Sequence, residues 1–152
     1  MPPESEARAG MSLIVKTITR LVASFILLFG IYIVLYGHLT PGGGFAGGVI
    51  VACSLILMLL AFGKTFVFGF ISERAPTLWD CVGALAFLLI AVAGYFGGTF
   101  FLNLFSKGTP FQLFSAGIIP LCNMAIGVKV GAGLFGVFLA LAAFRLSQKR
   151  SV

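Results

Sequence analysis

The sequence predicts an all-α integral membrane protein with four transmembrane helices. Of its 152 residues, 60% are hydrophobic and only 9% are charged, and the mean hydropathy is +1.14. Several long segments carry no charge, and each can supply a span of about 20 residues. Little chain is left over for a soluble domain with its own core. The net charge of +6 comes from basic residues beside apolar segments, which indicates membrane orientation rather than nucleic-acid binding.

The first two helices come from one long uncharged stretch. No Asp, Glu, Lys or Arg occurs from Leu21 to Gly63. A break is expected at Thr40-Pro41-Gly42, because proline presets φ and glycine accepts a positive φ in a tight turn. We therefore predict helices over residues 18–36 and 45–63. The segment 65–72 that follows is too short to span the membrane but contains three phenylalanines, so it is predicted to lie in the interface.

The third and fourth helices are predicted over residues 77–98 and 124–144. Trp79 marks the membrane boundary near the start of the third helix. The fourth is expected to begin after a break near Pro120, because a helix extending back to residue 117 would be too long for an untilted span. One membrane domain, 18–145, thus lies between an N-terminal tail, 1–17, and a basic C-terminal tail, 146–152.

The basic residues predict that both termini lie in the cytoplasm. With four spans, the two tails and the middle loop share one side of the membrane. That side carries eight basic residues: Arg8, Lys16, Arg20, Lys64, Arg74, Arg145, Lys149 and Arg150. The opposite side has Lys107, and the tenth basic residue, Lys129, lies within the fourth helix. The excess of basic residues marks the cytoplasmic side.

Catalytic and metal chemistry is not expected from this sequence. The three cysteines, Cys53, Cys81 and Cys122, are far apart and form no C-x-x-C pair, and only one histidine is available as a further ligand. No nucleophile motif, P-loop or pair of catalytic carboxylates occurs. We therefore predict no metal, no cofactor and no enzymatic activity.

A glycine-rich segment from Gly37 to Gly48 is the first candidate functional feature. It contains two overlapping G-x-x-x-G spacings, Gly43/Gly47 and Gly44/Gly48, which allow helices to approach closely. A turn followed by a packing face is the favoured interpretation, and a role in lining an ion path is the alternative. His38 could relay protons because imidazole titrates near neutrality, but a solvated or capping histidine is favoured at the membrane boundary.

Lys129 is the second candidate, and two interpretations remain open. It lies about 24 Å before Arg145 along a helix, which places it in the outer third of a hydrocarbon core about 30 Å thick. A long side chain there could extend to the outer interface. The flanking Gly127 and Gly131 instead favour a neighbouring helix close to the charge, hence a functional role with a partner from another helix or subunit. The polar Asn123 just after Pro120 could face an aqueous path or belong to a simple loop-to-helix junction.

Asp80 is interpreted as a helix cap. Together with Thr77 it forms a T-x-x-D pattern at the predicted start of the third helix, where a carboxylate stabilises free N–H groups. No carboxylate is then expected deep within a span, which argues against a self-sufficient exchanger.

Two motifs together resemble the MnhB family, the family of the B subunit of the Mrp-type multisubunit cation/proton antiporters. The first is Pro-Gly-Gly-Gly-Phe-x-Gly-Gly, beginning at Pro41. The second reads Pro120-Leu121-x-Asn123-x-x-Ile126-Gly127-x-Lys129-Val130-Gly131. The resemblance covers most of the chain, from the first helix to Arg145. Ala46 stands where a larger residue is more usual in that family.

The resemblance implies a bacterial or archaeal inner-membrane complex that exchanges sodium for protons. In that family the large subunits related to respiratory complex I carry the proton paths, and small subunits such as this one form the cation-handling module. The resemblance implies these candidates for the ion pathway or for assembly: His38, Pro41, Gly42, Gly43, Gly44, Phe45, Asn123, Gly127 and Lys129. The glycine spacings add Gly47, Gly48 and Gly131. An equivalent subunit of a membrane-bound hydrogenase or related respiratory complex is the alternative, and a stand-alone small transporter or channel is a third.

Overall fold

The computed structural model describes residues 11–103 and 116–148, and this part of the chain contains helices and no strands. The helices are α1 (Leu13–Leu35), α2 (Gly43–Phe62), the short α3 (Lys64–Phe70), α4 (Ala75–Ala93) and α5 (Ile119–Gln148). A 3₁₀ turn, Gly94–Gly97, continues α4. Four segments are long and apolar enough to cross a membrane: Leu13–Leu35, Gly43–Phe62, Ala75–Gly97 and Ile119–Ala143. The prediction of an all-α protein with four membrane-spanning helices is confirmed.

Helix α5 lies between α2 and α4, and α1 packs mainly against α2. The residues buried between the helices are mostly small, among them Ala23, Ala52, Ala61, Ala91 and Ala125. Small side chains let helix backbones approach closely, which is how membrane helices gain van der Waals contact without a hydrophobic driving force between them. The helix assembly therefore depends on close backbone packing more than on interlocking large side chains.

A cluster of larger side chains closes one end of the assembly. Val67 of α3 packs with Leu59 of α2 and Phe135 of α5, and all three are buried. Segment 65–72, predicted to lie at the interface, is thus a short helix plus an extension, and its apolar side chains contact the spanning helices.

The ends of the helices differ from the predicted bounds. Helix α1 begins five residues earlier, because the Ser12 hydroxyl accepts a hydrogen bond from the Val15 N–H (3.5 Å) and caps the helix. Helix α5 runs for 30 residues, so the predicted helix over 124–144 is too short at both ends. Pro120 lies in its first turn, where a missing N–H costs nothing, and the expected break is the start of the helix itself. Residues 1–10, residues 104–115 with Lys107, and residues 149–152 lie outside the described chain.

Candidate functional site on the final helix

The two sequence motifs that are far apart in the chain meet in space at Asn123. Its carboxamide oxygen accepts a hydrogen bond from the Gly44 N–H (3.3 Å), across a separation of 79 positions. Its amide nitrogen lies beside Gly37, where an added Cβ would be 2.9 Å away. A Cβ at Gly44 would overlap the Asn123 backbone carbonyl. Asn123 on α5 therefore holds the turn between α1 and α2 against the start of the last helix.

The glycines of the first motif face two different helices. An added Cβ at Gly48 would lie 2.7 Å from the Gly127 carbonyl oxygen of α5. An added Cβ at Gly47 would instead lie 2.8 Å from the Val34 backbone nitrogen of α1. Gly44, Gly47 and Gly48 are all buried. The overlapping G-x-x-x-G spacings thus serve close approach on two sides of α2 within this chain.

The second motif supplies the complementary surface. Gly127 is buried against Val34 of α1 and the backbone of Gly44, and Gly131 lies against the Gly48 carbonyl. Asn123, Gly127 and Gly131 recur at every fourth residue, so they form one stripe along α5. The stripe packs against the glycines of α2.

The turn itself uses glycine conformations as the sequence predicts. Gly42 has a φ of +101° and Gly43 a φ of +56°, in the left-handed region that favours glycine. His38 is half-buried within this turn, and Pro41 is exposed. Phe45, the first aromatic residue of α2, is 63% exposed and contributes little to packing inside the chain. Phe45 and Pro41 are therefore exposed at the surface of the chain and take no part in the Asn123 contact.

Lys129 forms an ion pair with Asp80 of α4. The Lys129 Nζ lies 2.9 Å from the Asp80 Oδ1, within hydrogen-bonding distance. Two glycines make the geometry possible. Gly83 of α4 lies directly against the Lys129 backbone, and the Asp80 carboxylate lies over Gly133, where an added Cβ would be 3.4 Å from Oδ1. The lysine ammonium therefore has its counter-charge within the same chain, on another helix.

The interpretation of Asp80 as a cap is wrong. Helix α4 begins at Ala75, its first turn contains no acidic residue, and no side chain caps it. Pro76 instead occupies the first turn, as is common at helix starts. Asp80 is the sixth residue of α4, about 7.5 Å from its start, so it lies beyond the first turn but not deep within the span.

Lys129 lies within the apolar segment Ile119–Ala143, ten residues from one end and fourteen from the other, or about 15 and 21 Å at the rise of an α-helix. Its place in the outer third of the membrane stays a prediction. A charged side chain at the centre of a span costs about 2.5 to 3.5 kcal/mol on insertion scales, and pairing with Asp80 offsets part of the cost of burying Lys129 in an apolar segment.

Two further polar residues, to which the sequence analysis gave no role, bond distant parts of the chain together. Ser54, fully buried in α2, donates a hydrogen bond to the Ala23 carbonyl of α1 (2.8 Å). Asn103 accepts a hydrogen bond from the Ile118 N–H (3.2 Å), next to Gly117, which has a φ of +65°. A hydroxyl in the middle of a strongly apolar span is the signal that could have identified Ser54.

Comparison with known proteins gives the chain a family. Residues 14–136 match the family model described as a domain related to the MnhB subunit of Na+/H+ antiporters. The B-type component of the Na+/H+ antiporter of Bacillus subtilis is 38% identical over 137 residues, which cover 89% of this chain and 88% of that protein. An uncharacterized protein of Methanocaldococcus jannaschii is 38% identical over 146 residues, covering 91% of this chain.

A solved structure shares the fold. A chain of the membrane-bound sulfane sulfur reductase, an archaeal respiratory membrane complex, superposes with a TM-score of 0.73 and 34% identity over 87% of this chain. This chain spans only 58% of that chain and 53% of the Methanocaldococcus protein. The Bacillus subtilis protein, in contrast, matches along most of its length. With four apolar helices, the two motifs in contact and a match over residues 14–136, the chain belongs to the family of domains related to the MnhB subunit of Na+/H+ antiporters.

Proposed function

We propose that this chain is a non-catalytic membrane subunit of an Mrp-type multisubunit Na+/proton antiporter, contributing to the cation-handling module and to assembly of the complex. The observation that carries the proposal is the match to the Bacillus subtilis antiporter protein, which extends over most of both chains. Large subunits related to respiratory complex I are its proposed partners, and Na+ and H+ are the ions exchanged by the complex.

The contacts within the chain favour a role in packing and assembly over a complete ion path. Gly44, Gly48, Asn123 and Gly127 contact one another inside the chain, so their backbones and side chains are used for packing. Among the described residues, we find no chain of ionisable side chains that runs from one end of the spans to the other. Proton carriers commonly rely on such intramembrane groups. In this proposal the partner subunits supply the proton path.

The proposed location is the inner membrane of a bacterium or archaeon, with both termini in the cytoplasm. The basic residues of the tails and middle loop support this orientation by the positive-inside rule. In that orientation, α1 and α4 run outward and α2 and α5 run inward. The turn at Pro41 and the start of α5 then face the outside of the cell.

Deletion and complementation would test the proposed function. Everted vesicles from cells that lack this chain but retain the rest of the complex should lose Na+-dependent collapse of the proton gradient. Restoring the chain should restore the exchange, and the tagged chain should co-purify with large antiporter-like subunits. Exchange that continues without the chain, or a purified complex without such subunits, would contradict the proposal.

A second candidate is the equivalent subunit of a membrane-bound hydrogenase or related respiratory complex. The structural similarity to the sulfane sulfur reductase chain favours it. Co-purification with iron–sulfur subunits would distinguish this complex from an antiporter. A stand-alone small transporter is the third possibility, and the purified chain alone in liposomes should carry no Na+ if the subunit proposal is right.

A further inference from the structure

The ion pair between Asp80 and Lys129 lies on the outer surface of this chain. The Lys129 side chain is 49% exposed and the Asp80 side chain 37% exposed. Most other exposed side chains of the spans are apolar, for example Leu85 and Val137. A pair of charges on this surface needs a polar neighbour, because lipid tails offer no hydrogen bonds.

The pair lies within the apolar segments of both helices. Lys129 is ten residues from the nearer end of Ile119–Ala143, and Asp80 is five residues from the start of Ala75–Gly97, or about 15 and 7.5 Å. The Lys129 Nζ bonds the Asp80 carboxylate. Charged residues within membrane spans generally face a protein neighbour or a water-filled cavity.

We propose that a transmembrane helix of another subunit covers the α4–α5 surface at Asp80 and Lys129 and presents a hydrogen-bonding side chain to the pair. The ammonium has three donors and the contact with Asp80 uses one of them, while the second carboxylate oxygen can accept. The inference rests on the proposed function, because it requires a multisubunit complex.

The surface beside the pair is formed by α4 and α5 in close contact. Gly83 lies against the Lys129 backbone and Gly133 lies beneath the Asp80 carboxylate, so both glycines are used in the contact between α4 and α5. Val137, one turn beyond Gly133, is 59% exposed and continues the surface with an apolar contact.

Photo-cross-linking in the intact complex tests the location. With p-benzoylphenylalanine at position 137, irradiation of membranes should give an adduct between this chain and another subunit. A chain that gives only lipid adducts, or no adduct, would overturn the proposal. The readout does not depend on ion exchange, so it holds equally in an antiporter or a redox complex. Failure of the proposed function would appear separately, as absent Na+-dependent exchange.

A paired substitution tests the chemistry. Asp80→Leu with Lys129→Met removes both charges while keeping similar bulk, so the chain should still insert. The amount of assembled complex per inserted chain should fall at least about fivefold, because the partner's polar side chain then faces an apolar surface. Assembly at the wild-type level would overturn the proposal. If the variant chain fails to accumulate, the adduct at position 137 decides the question.

A water-filled cavity is the competing occupant, and thiol labelling separates it from a helix. Gly133→Cys would be introduced into a chain whose three native cysteines are replaced by alanine. A small charged methanethiosulfonate reacts only where water reaches the thiol. No reaction in the assembled complex supports a covering helix, whereas rapid reaction places Asp80 and Lys129 in an aqueous cavity and refutes the proposal.

Discussion

Gly44→Ala is expected to destabilise the protein although it adds only one methyl group. The new Cβ would overlap the carbonyl oxygen of Asn123 and lie 2.8 Å from its Cα. Carbon atoms in favourable contact are about 3.5 to 4.0 Å apart. Helix α5 would therefore have to move by nearly 1 Å at this point. Such a shift also disturbs the hydrogen bond from the Gly44 N–H to the Asn123 side chain.

The expected cost follows from these two effects. Overpacking in a close-packed interface costs about 1 to 3 kcal/mol, and a lost hydrogen bond costs about 0.5 to 1.5 kcal/mol. The higher helix propensity of alanine returns up to about 1 kcal/mol. A net loss of about 2 kcal/mol should lower the midpoint of thermal unfolding by about 4 to 8 °C for a chain of this size.

A matched control isolates the contact. Gly69 is also a helical glycine, but an alanine Cβ there meets nothing within 4 Å. Gly69→Ala should leave the midpoint unchanged or raise it slightly. Heating tagged complex in detergent, followed by size-exclusion chromatography, measures both variants. Equal midpoints for Gly44→Ala and Gly69→Ala would refute the packing argument. Leucine at position 44 or 48 should impair assembly altogether.

Three other predictions concern the stability, exchange activity and topology of the chain. Ser54→Ala should lower the free energy of unfolding by about 0.5 to 1.5 kcal/mol, because it removes the hydrogen bond to the Ala23 carbonyl. Ser24→Ala should be nearly neutral, because the Ser24 hydroxyl is exposed and bonds within α1 itself. Equal losses in the two variants would contradict this. Lys129→Ala should lower Na+-dependent exchange in everted vesicles, since Asp80 then lacks its cation, and arginine should restore it only partly; normal exchange at normal complex levels would exclude a role. In a chain without native cysteines, Ser106→Cys should react with an impermeant thiol reagent outside the cell and Ser147→Cys should not; the reverse pattern would overturn the topology.

The number and approximate places of the spans could be predicted because hydropathy determines them. The uncharged stretch from Leu21 to Gly63 and the turn at Gly42 appear in the structure as α1, α2 and the connection between them. The ends were less predictable. The start of α1 depends on the Ser12 hydroxyl, and α5 exceeds the length that a hydrocarbon core alone would require. Hydropathy does not report how far a helix continues beyond the membrane.

The contacts of the candidate site were only partly predictable. Glycine spacing indicated close approach, but not that Gly47 and Gly48 would face different helices. Asp80 was missed because the T-x-x-D pattern resembles a cap when the start of a helix is placed at residue 77. The actual start at Ala75 moves Asp80 out of the first turn. Its partner is 49 positions away, and a single sequence does not reveal such a distant pairing.

Helix α5 explains why the second motif contains both glycines and a lysine. Asn123, Gly127 and Gly131 face α2, while Ala125, Lys129 and Gly133 face α4. The two series are offset by two residues, which is about 200° around an α-helix, so they lie on nearly opposite sides. One side packs glycine against glycine inside the chain. The other places a charge pair at the surface, where α5 and α4 can together contact another subunit. The motif is therefore two faces of one helix, and a substitution on either face should affect a different property: folding of this chain on the first, and joining of the complex on the second.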